Sequence, residues 1–132
     1  MAWDGDADRV VFVTDEGRYL MGDRSFALAA YNQLRASRGP RKRIVTQVAT
    51  SDVVRDVAEA VGATIVLTRV GEPNIVTTMK KTKAEIGGEE NGGVIYRGWS
   101  WTREGMLTPL VILDLMTREE QSLEQLDRRF PL

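Results

Sequence analysis

The stretch RIVTQVATSDVVRDVAEAVGATIVLTRV, Arg43 to Val70, sets the fold class. RIVTQV (Arg43–Val48) is rich in β-branched residues and predicts a strand. VVRDVAEAVG (Val53–Gly62) places Val54, Val57, Ala58 and Val61 on one helical face, with Gly62 at the position where a left-handed residue ends a helix. TIVLTRV (Thr64–Val70) predicts a second strand. Strand, helix and strand in succession imply an α/β protein with a mixed, partly parallel sheet and flanking helices. In the connection ATSD, Thr50 or Ser51 reads first as a helix cap, and second as an anion-binding helix start.

The same pattern continues outward. Downstream, GEPN is a loop, IVTTMKKTK a short helix, and AEIGGEENGGVIY a strand, a glycine loop and a strand. VILDLMTREE is helical, with Thr108 as cap and Pro109 at the first position. SLEQLDRRF is a last helix capped by Ser122. Upstream, GPRK (Gly39–Lys42) breaks a helix, GDRSFALAAYNQLRAS, whose cap is Asp23 and whose apolar face carries Phe26, Ala30 and Leu34. Before it, RVVFV turns at TDEG and returns as RYLM, a β-hairpin. Two strands alone are marginal. The expectation is therefore that residues 1–21 are the end of an upstream domain, and that residues 22–132 form a domain of their own.

Composition narrows the chemistry. The 132 residues are 42% apolar and 28% charged, enough for a real core. There is no Cys, so no thiolate, and no His, so no imidazole base or ligand. The formal charge of -1 gives no reason to expect nucleic acid. No apolar run reaches the ~20 residues of a membrane span, and no secretory signal is visible. Carboxylates, Arg and Lys, hydroxyls, amides or a metal must do any chemistry.

Two loops concentrate those groups. DGDADR (Asp4–Arg9) sets three carboxylates at alternate positions beside an arginine. A solvated turn is the plain reading. A calcium EF-hand would need Gly at the sixth position and Glu at the twelfth, where this chain has Arg9 and Asp15. Mg²⁺, held by carboxylates beside a phosphate that Arg9 could fork, fits better. The second loop is GGEENGG (Gly87–Gly93). It is either a flexible turn or a tip where Glu89, Glu90 and Asn91 hold adjacent hydroxyls, as for a sugar. Gly71 and Glu72 leave a strand end where substrates gather in open α/β sheets, and a plain turn explains them as well. Trp99 and Trp101 read as packing or as a loop wall.

DGDADR followed by GEENGG in this order resembles the α-D-phosphohexomutase superfamily, which includes phosphomannomutase/phosphoglucomutase and phosphoglucosamine mutase. TQVATSDVVRDVAEAVGA and REGML are similar to segments placed likewise in that family. The resemblance covers the whole chain: the metal-loop end of the second domain, then the third domain. It implies that Asp4, Asp6 and Asp8 ligate Mg²⁺, that Arg9 lies by a phosphoserine as a catalytic residue, and that Glu89 and Asn91, with Gly71 and Glu72, bind substrate. Asn91 stands where many members have Ser, and Glu72 where some have His, so the sugar preference stays open.

The chemistry implied is an isomerase's phosphoryl shuttle. A phosphoserine gives its phosphate to a hexose phosphate, and a bisphosphate intermediate returns the other one. Phosphate thereby moves between C6 and C1. Neither a Ser-His-Asn-Pro loop nor an Arg-x-Ser-Gly-Thr loop is found. The expectation is an inactive fragment of a cytoplasmic enzyme, working with the enzyme's remaining domains on a hexose phosphate, with no membrane or nucleic-acid partner. A non-catalytic sugar-phosphate binding module is the alternative.

Overall fold

In the computed structural model, which describes residues 1–37 and 42–130, the stretch Arg43–Val70 folds as strand β4 (Arg43–Gln47), helix α2 (Asp52–Val61) and strand β5 (Thr64–Thr68). Three short strands come first: β1 (Ala2–Trp3), β2 (Val10–Val13) and β3 (Tyr19–Leu20), followed by helix α1 (Gly22–Arg35). After β5 come α3 (Glu72–Thr82), β6 (Ile86–Gly88), β7 (Val94–Tyr96), α4 (Leu107–Glu119) and α5 (Leu123–Arg128). The larger sheet has the order β5-β4-β6-β7. β4 is parallel to both β5 and β6, and β7 runs antiparallel to β6. The mixed sheet is thus as expected. The N-terminal hairpin gains a third strand, because β1 pairs with β2 through Ala2–Val11 and Trp3–Val10. The acidic loop is the connection between those two strands.

Alternation along the strands builds two cores. Ile44, Ile86, Val94 and Tyr96 face α1, α2, α4 and α5, whereas Val45 and Ile95 face Ile75 and Met79 of α3. Period-two alternation sends neighbouring side chains to opposite faces, so both faces of the sheet are covered. At the end of β6 the layers close in. A Cβ on Gly87 would lie 2.6 Å from the Met79 sulfur, and one on Gly88 would lie 2.5 Å from the Phe26 ring. Only glycine lets the two helices approach so closely, and the chain leaves this pinch directly into Glu89. Val10, Phe12 and Leu20 of the small sheet belong to the same core as Phe26 and Leu34.

Charge ties the small sheet to the C-terminal helix. Arg18 reaches Glu124 at 3.1 Å and also pairs with Asp127. Buried Arg24 pairs with Asp127 and donates to the Phe130 carbonyl at 2.6 Å. Asp15 accepts the Glu124 amide at 3.2 Å, which satisfies a free donor at the start of α5.

Helix ends depart from expectation in three places. α1 starts one residue before Asp23, with Met21 in the cap position and no side-chain cap, so Asp23 lies in the first turn, where its charge complements the helix dipole. α3 takes in the expected GEPN loop from Glu72, because Pro73 sits in the first turn, where its missing N–H costs nothing. α4 starts at Leu107, so Thr108 is inside it. The Thr108 hydroxyl donates to the Glu104 carbonyl at 2.8 Å and lies 2.9 Å from the buried Tyr96 hydroxyl. Ser122 does cap α5, and reciprocal bonds with Gln125 complete a capping box. Gly62 ends α2 at φ 69° as expected. Lys83 and Glu120 end α3 and α4 in the same left-handed region, at φ 58° and 51°, without being glycine. The helix break expected at Gly39–Lys42 falls on residues 39–41, outside the described residues, apart from Lys42.

Candidate functional site

Asp4, Asp6 and Asp8 each offer a carboxylate oxygen, and these oxygens lie within 4.8 Å of one another. The loop is folded tightly enough to force this. Ala7 takes a left-handed φ of 57° and donates its amide to the Asp4 carbonyl at 3.1 Å. Such a conformation costs an alanine roughly 1–2 kcal/mol, so the surroundings must hold it. Trp3 does so from one side by donating its indole N–H to the Gly105 carbonyl at 2.6 Å. The Ala7 carbonyl presses against Gly105 where any Cβ would stand. Arg9 closes the loop, its Nε 2.7 Å from Asp4 Oδ2 and its amide 3.3 Å from Oδ1.

The three carboxylates differ in what they already hold. The hydrogen bond from Arg9 keeps Asp4 below the ordinary carboxylate range. Burial pushes Asp8 up, and its neighbour Asp6 adds to this, outweighing the pull of Arg103. Asp8 Oδ1 is shielded from solvent and has no hydrogen-bond partner among the described residues. Arg9 Nε lies 3.9 Å from it, while Arg103 Nη2 pairs with the other oxygen, Oδ2, at 2.7 Å. An orphaned carboxylate oxygen between two other acids is what a hard divalent cation would satisfy, so the donor set fits Mg²⁺.

Glu89 is buried, 6% exposed. Gln47 at the end of β4 donates to its Oε1 at 2.7 Å, and Asn91 donates to Oε2 at 3.3 Å. Arg103 donates to the same Oε2 at 3.3 Å. A carboxylate has about four acceptor positions, and three are engaged. Glu89 therefore has room for one further hydrogen bond, on Oε1, rather than for a pair of hydroxyls. Asn91 is half occupied as well, because its Oδ1 accepts the Gly93 amide at 2.9 Å and shapes the loop. Asn91 also lines a cleft of about 420 Å³ with Asp4, Arg9, Trp3 and Tyr19, so the two candidate loops share one opening.

Glu72, in the first turn of α3, accepts the Thr102 hydroxyl at 3.0 Å. Gly71 enters only as the backbone from which Glu72 departs, at φ 122°. What joins Glu72, Glu89 and Asp8 is Arg103, which pairs with Asp8 at 2.7 Å, Glu72 at 2.9 Å and Glu89 at 3.3 Å. The sequence reading singled out neither Arg103 nor Gln47 as a site residue. REG, an arginine two residues before a glycine at a helix entrance, was the available signal. Trp99 is 67% exposed and Trp101 39%, with Lys80 over the Trp101 ring at 5.1 Å, so neither packs in a core. No helix among the described residues is long and apolar enough to cross a membrane.

Known proteins resemble this chain in sequence and fold. Residues 21–131 match the family model for phosphoglucomutase/phosphomannomutase, alpha/beta/alpha domain III. A phosphoglucomutase/phosphomannomutase of Thermococcus kodakarensis is 37% identical over 131 residues, which is 99% of this chain and 28% of that protein. A phosphoglucosamine mutase of Sorangium cellulosum is 34% identical over 126 residues, 96% of this chain and 26% of that protein. The crystal structure of a phosphoglucomutase/phosphomannomutase family protein from Burkholderia thailandensis superposes with a TM-score of 0.86 at 26% identity, covering 99% of this chain and 28% of that one. The chain thus spans under a third of these relatives. With the match running through nearly all of its residues, it belongs to the phosphoglucomutase/phosphomannomutase family of the α-D-phosphohexomutase superfamily.

Proposed function

We propose that this chain supplies the metal-holding and sugar-holding loops of a phosphohexomutase, which moves phosphate between C6 and C1 of a hexose phosphate through a phosphoserine and a bisphosphate intermediate. The observation that carries this reading is the orphaned Asp8 Oδ1 inside the acidic triad, one arginine away from the Glu89 loop. Asp4, Asp6 and Asp8 would hold Mg²⁺, which when bound neutralises charge on a transferring phosphoryl group. Arg9 lines the cleft and brings positive charge beside the triad, suited to a phosphate oxygen. Glu89 accepts one sugar hydroxyl at its open position, and Asn91 meets the ring from the cleft wall. The loops orient the sugar, and catalysis of this type is mostly positioning and electrostatics.

The test is coupled mutase turnover with Mg²⁺ and a hexose bisphosphate activator. A full-length protein containing this segment should interconvert glucose or mannose 1- and 6-phosphates, while the 132-residue chain alone should not. Failure of the full-length protein on every hexose phosphate would leave the binding-module alternative standing. Turnover by the chain alone would overturn its assignment as a part. Relatives named phosphoglucosamine mutase match at nearly the same identity, which favours a second reading with an amino sugar. Glucosamine 1-phosphate belongs in the same assay, and a higher kcat/KM for it would select that reading.

A further inference from the structure

We propose that Arg103 is a positioning residue that couples the acidic loop to the Glu89 loop, so that what happens at one is felt as affinity at the other. This rests on the metal and sugar roles just assigned to those loops. Each nitrogen of the guanidinium lies by a different carboxylate: Nη2 2.7 Å from Asp8 in the acidic loop, Nε 2.9 Å from Glu72 in the first turn of α3, and Nη1 3.3 Å from Glu89. Of these ion pairs only Nη1 to Glu89 has hydrogen-bond geometry, and the buried Nε has no hydrogen-bond partner among the described residues. One guanidinium stays within ion-pair reach of three acids only if all three hold their places. The side chain is 24% exposed and Glu89 is 8%, so solvent screens these pairs poorly. The backbone repeats the connection. The Arg103 stem fills the space beside Gly93 where a Cβ would stand, and two residues on, Gly105 receives both the Ala7 carbonyl and the Trp3 indole. Segment 103–105 therefore touches both loops with side chain and main chain.

The sign of the coupling follows from the charges. Three carboxylates share one guanidinium. Removing the Glu89 charge frees Arg103 to settle on Asp8, which then competes with a cation for that carboxylate. Loosening the fork lets the strained Ala7 turn relax, which scatters the three ligands. Both effects weaken metal binding. Simple electrostatics predicts the opposite for one change: deleting the Arg103 charge beside a cation site should strengthen binding.

The experiment uses the 132-residue chain, Mn²⁺ alone as probe, titration calorimetry, and amide hydrogen exchange without metal. Arg103→Lys keeps the charge and loses the fork. Its Mn²⁺ affinity should fall at least about fivefold, the lower end of ordinary coupling between sites. Arg103→Gln should also weaken binding. Glu89→Gln should weaken it in the native background but by less than about twofold in the Arg103→Lys background, the margin within which independent changes add. In exchange, Arg103→Lys should loosen residues 4–9 and 89–93 together while protection of α1 and α4 stays native. Unchanged affinity in Arg103→Lys, tighter binding in Arg103→Gln, or an undiminished Glu89→Gln effect without Arg103 would each overturn the coupling. If the native chain binds no Mn²⁺, the metal reading fails. The exchange measurement then decides the coupling, which is overturned if only one loop loosens.

Discussion

Gly88 has no room for a methyl group, because the Phe26 ring occupies the space its Cβ would need. Overpacking of this kind costs roughly 1–3 kcal/mol. Gly88→Ala should lower the midpoint of urea unfolding accordingly, and, on the role proposed for Glu89, which follows directly, it should also weaken sugar-phosphate binding in a full-length protein containing this segment. A Gly88→Ala protein of native stability would show that Phe26 can step aside and that the pinch is not rigid. At this scale the sequence was legible only where a residue type betrays its job locally. Three aspartates at alternate positions announce a cluster of carboxylates, and glycines around Glu89 announce a close approach. REG marks Arg103 only weakly, because its partners Asp8, Glu72 and Glu89 lie far apart in sequence and one arginine among 18 basic residues does not show which acids it will meet. The capacity of Glu89 was overestimated for the same reason: Gln47, which uses one of its acceptor positions, lies on another strand.

Among the elements, β4, α2 and β5 were legible because alternating β-branched strands, a 3.6-residue apolar face and Gly62 all agree. The misplaced starts of α1, α3 and α4 share a cause. A polar residue or a proline near a helix entrance can sit at the cap or one to three residues inside, and packing chooses. Thr108 is drawn inside by the Tyr96 hydroxyl, which burial would otherwise leave unsatisfied. The C-termini offer a cleaner test. Glu120 ends α4 at φ 51°, a conformation that costs a non-glycine residue about 1–2 kcal/mol, while glycine loses roughly 0.5–1 kcal/mol in backbone entropy. Glu120→Gly should therefore stabilise the chain by up to about 1 kcal/mol, seen as a rise in Tm. A fall would mean that the Glu120 side chain contributes more than its backbone strain costs.

Across the whole molecule, stability depends on pH through the charged tie between the small sheet and α5. The Thr14 hydroxyl, then Arg18 and Arg128, hold the Glu124 carboxyl at about 2, against an ordinary value of 4.5. A carboxyl depressed on folding stabilises fully above its unfolded value and loses that contribution as pH falls through the folded one. Tm should therefore drop between pH 4.5 and 2, and Glu124→Gln should flatten that drop while lowering Tm at neutral pH. An equally steep acid limb in Glu124→Gln would place the acid sensitivity elsewhere. The α/β class was legible at this scale. The fusion of the two sheets into one core was not, since Val10, Phe12 and Leu20 meet Phe26 and Leu34 only through tertiary packing.

That shared core has a meaning for recombination. The family match begins at residue 21, the obvious seam for splicing related proteins. A crossover there would part Val10, Phe12 and Leu20 from the partners they bury and cut Arg18 away from Glu124 and Asp127. Chimeras joined at that point should be less stable than either parent, read as a lower Tm, because the two sides of the shared core then come from different sequences. A crossover that leaves this core whole has to carry the small sheet together with the layers behind it.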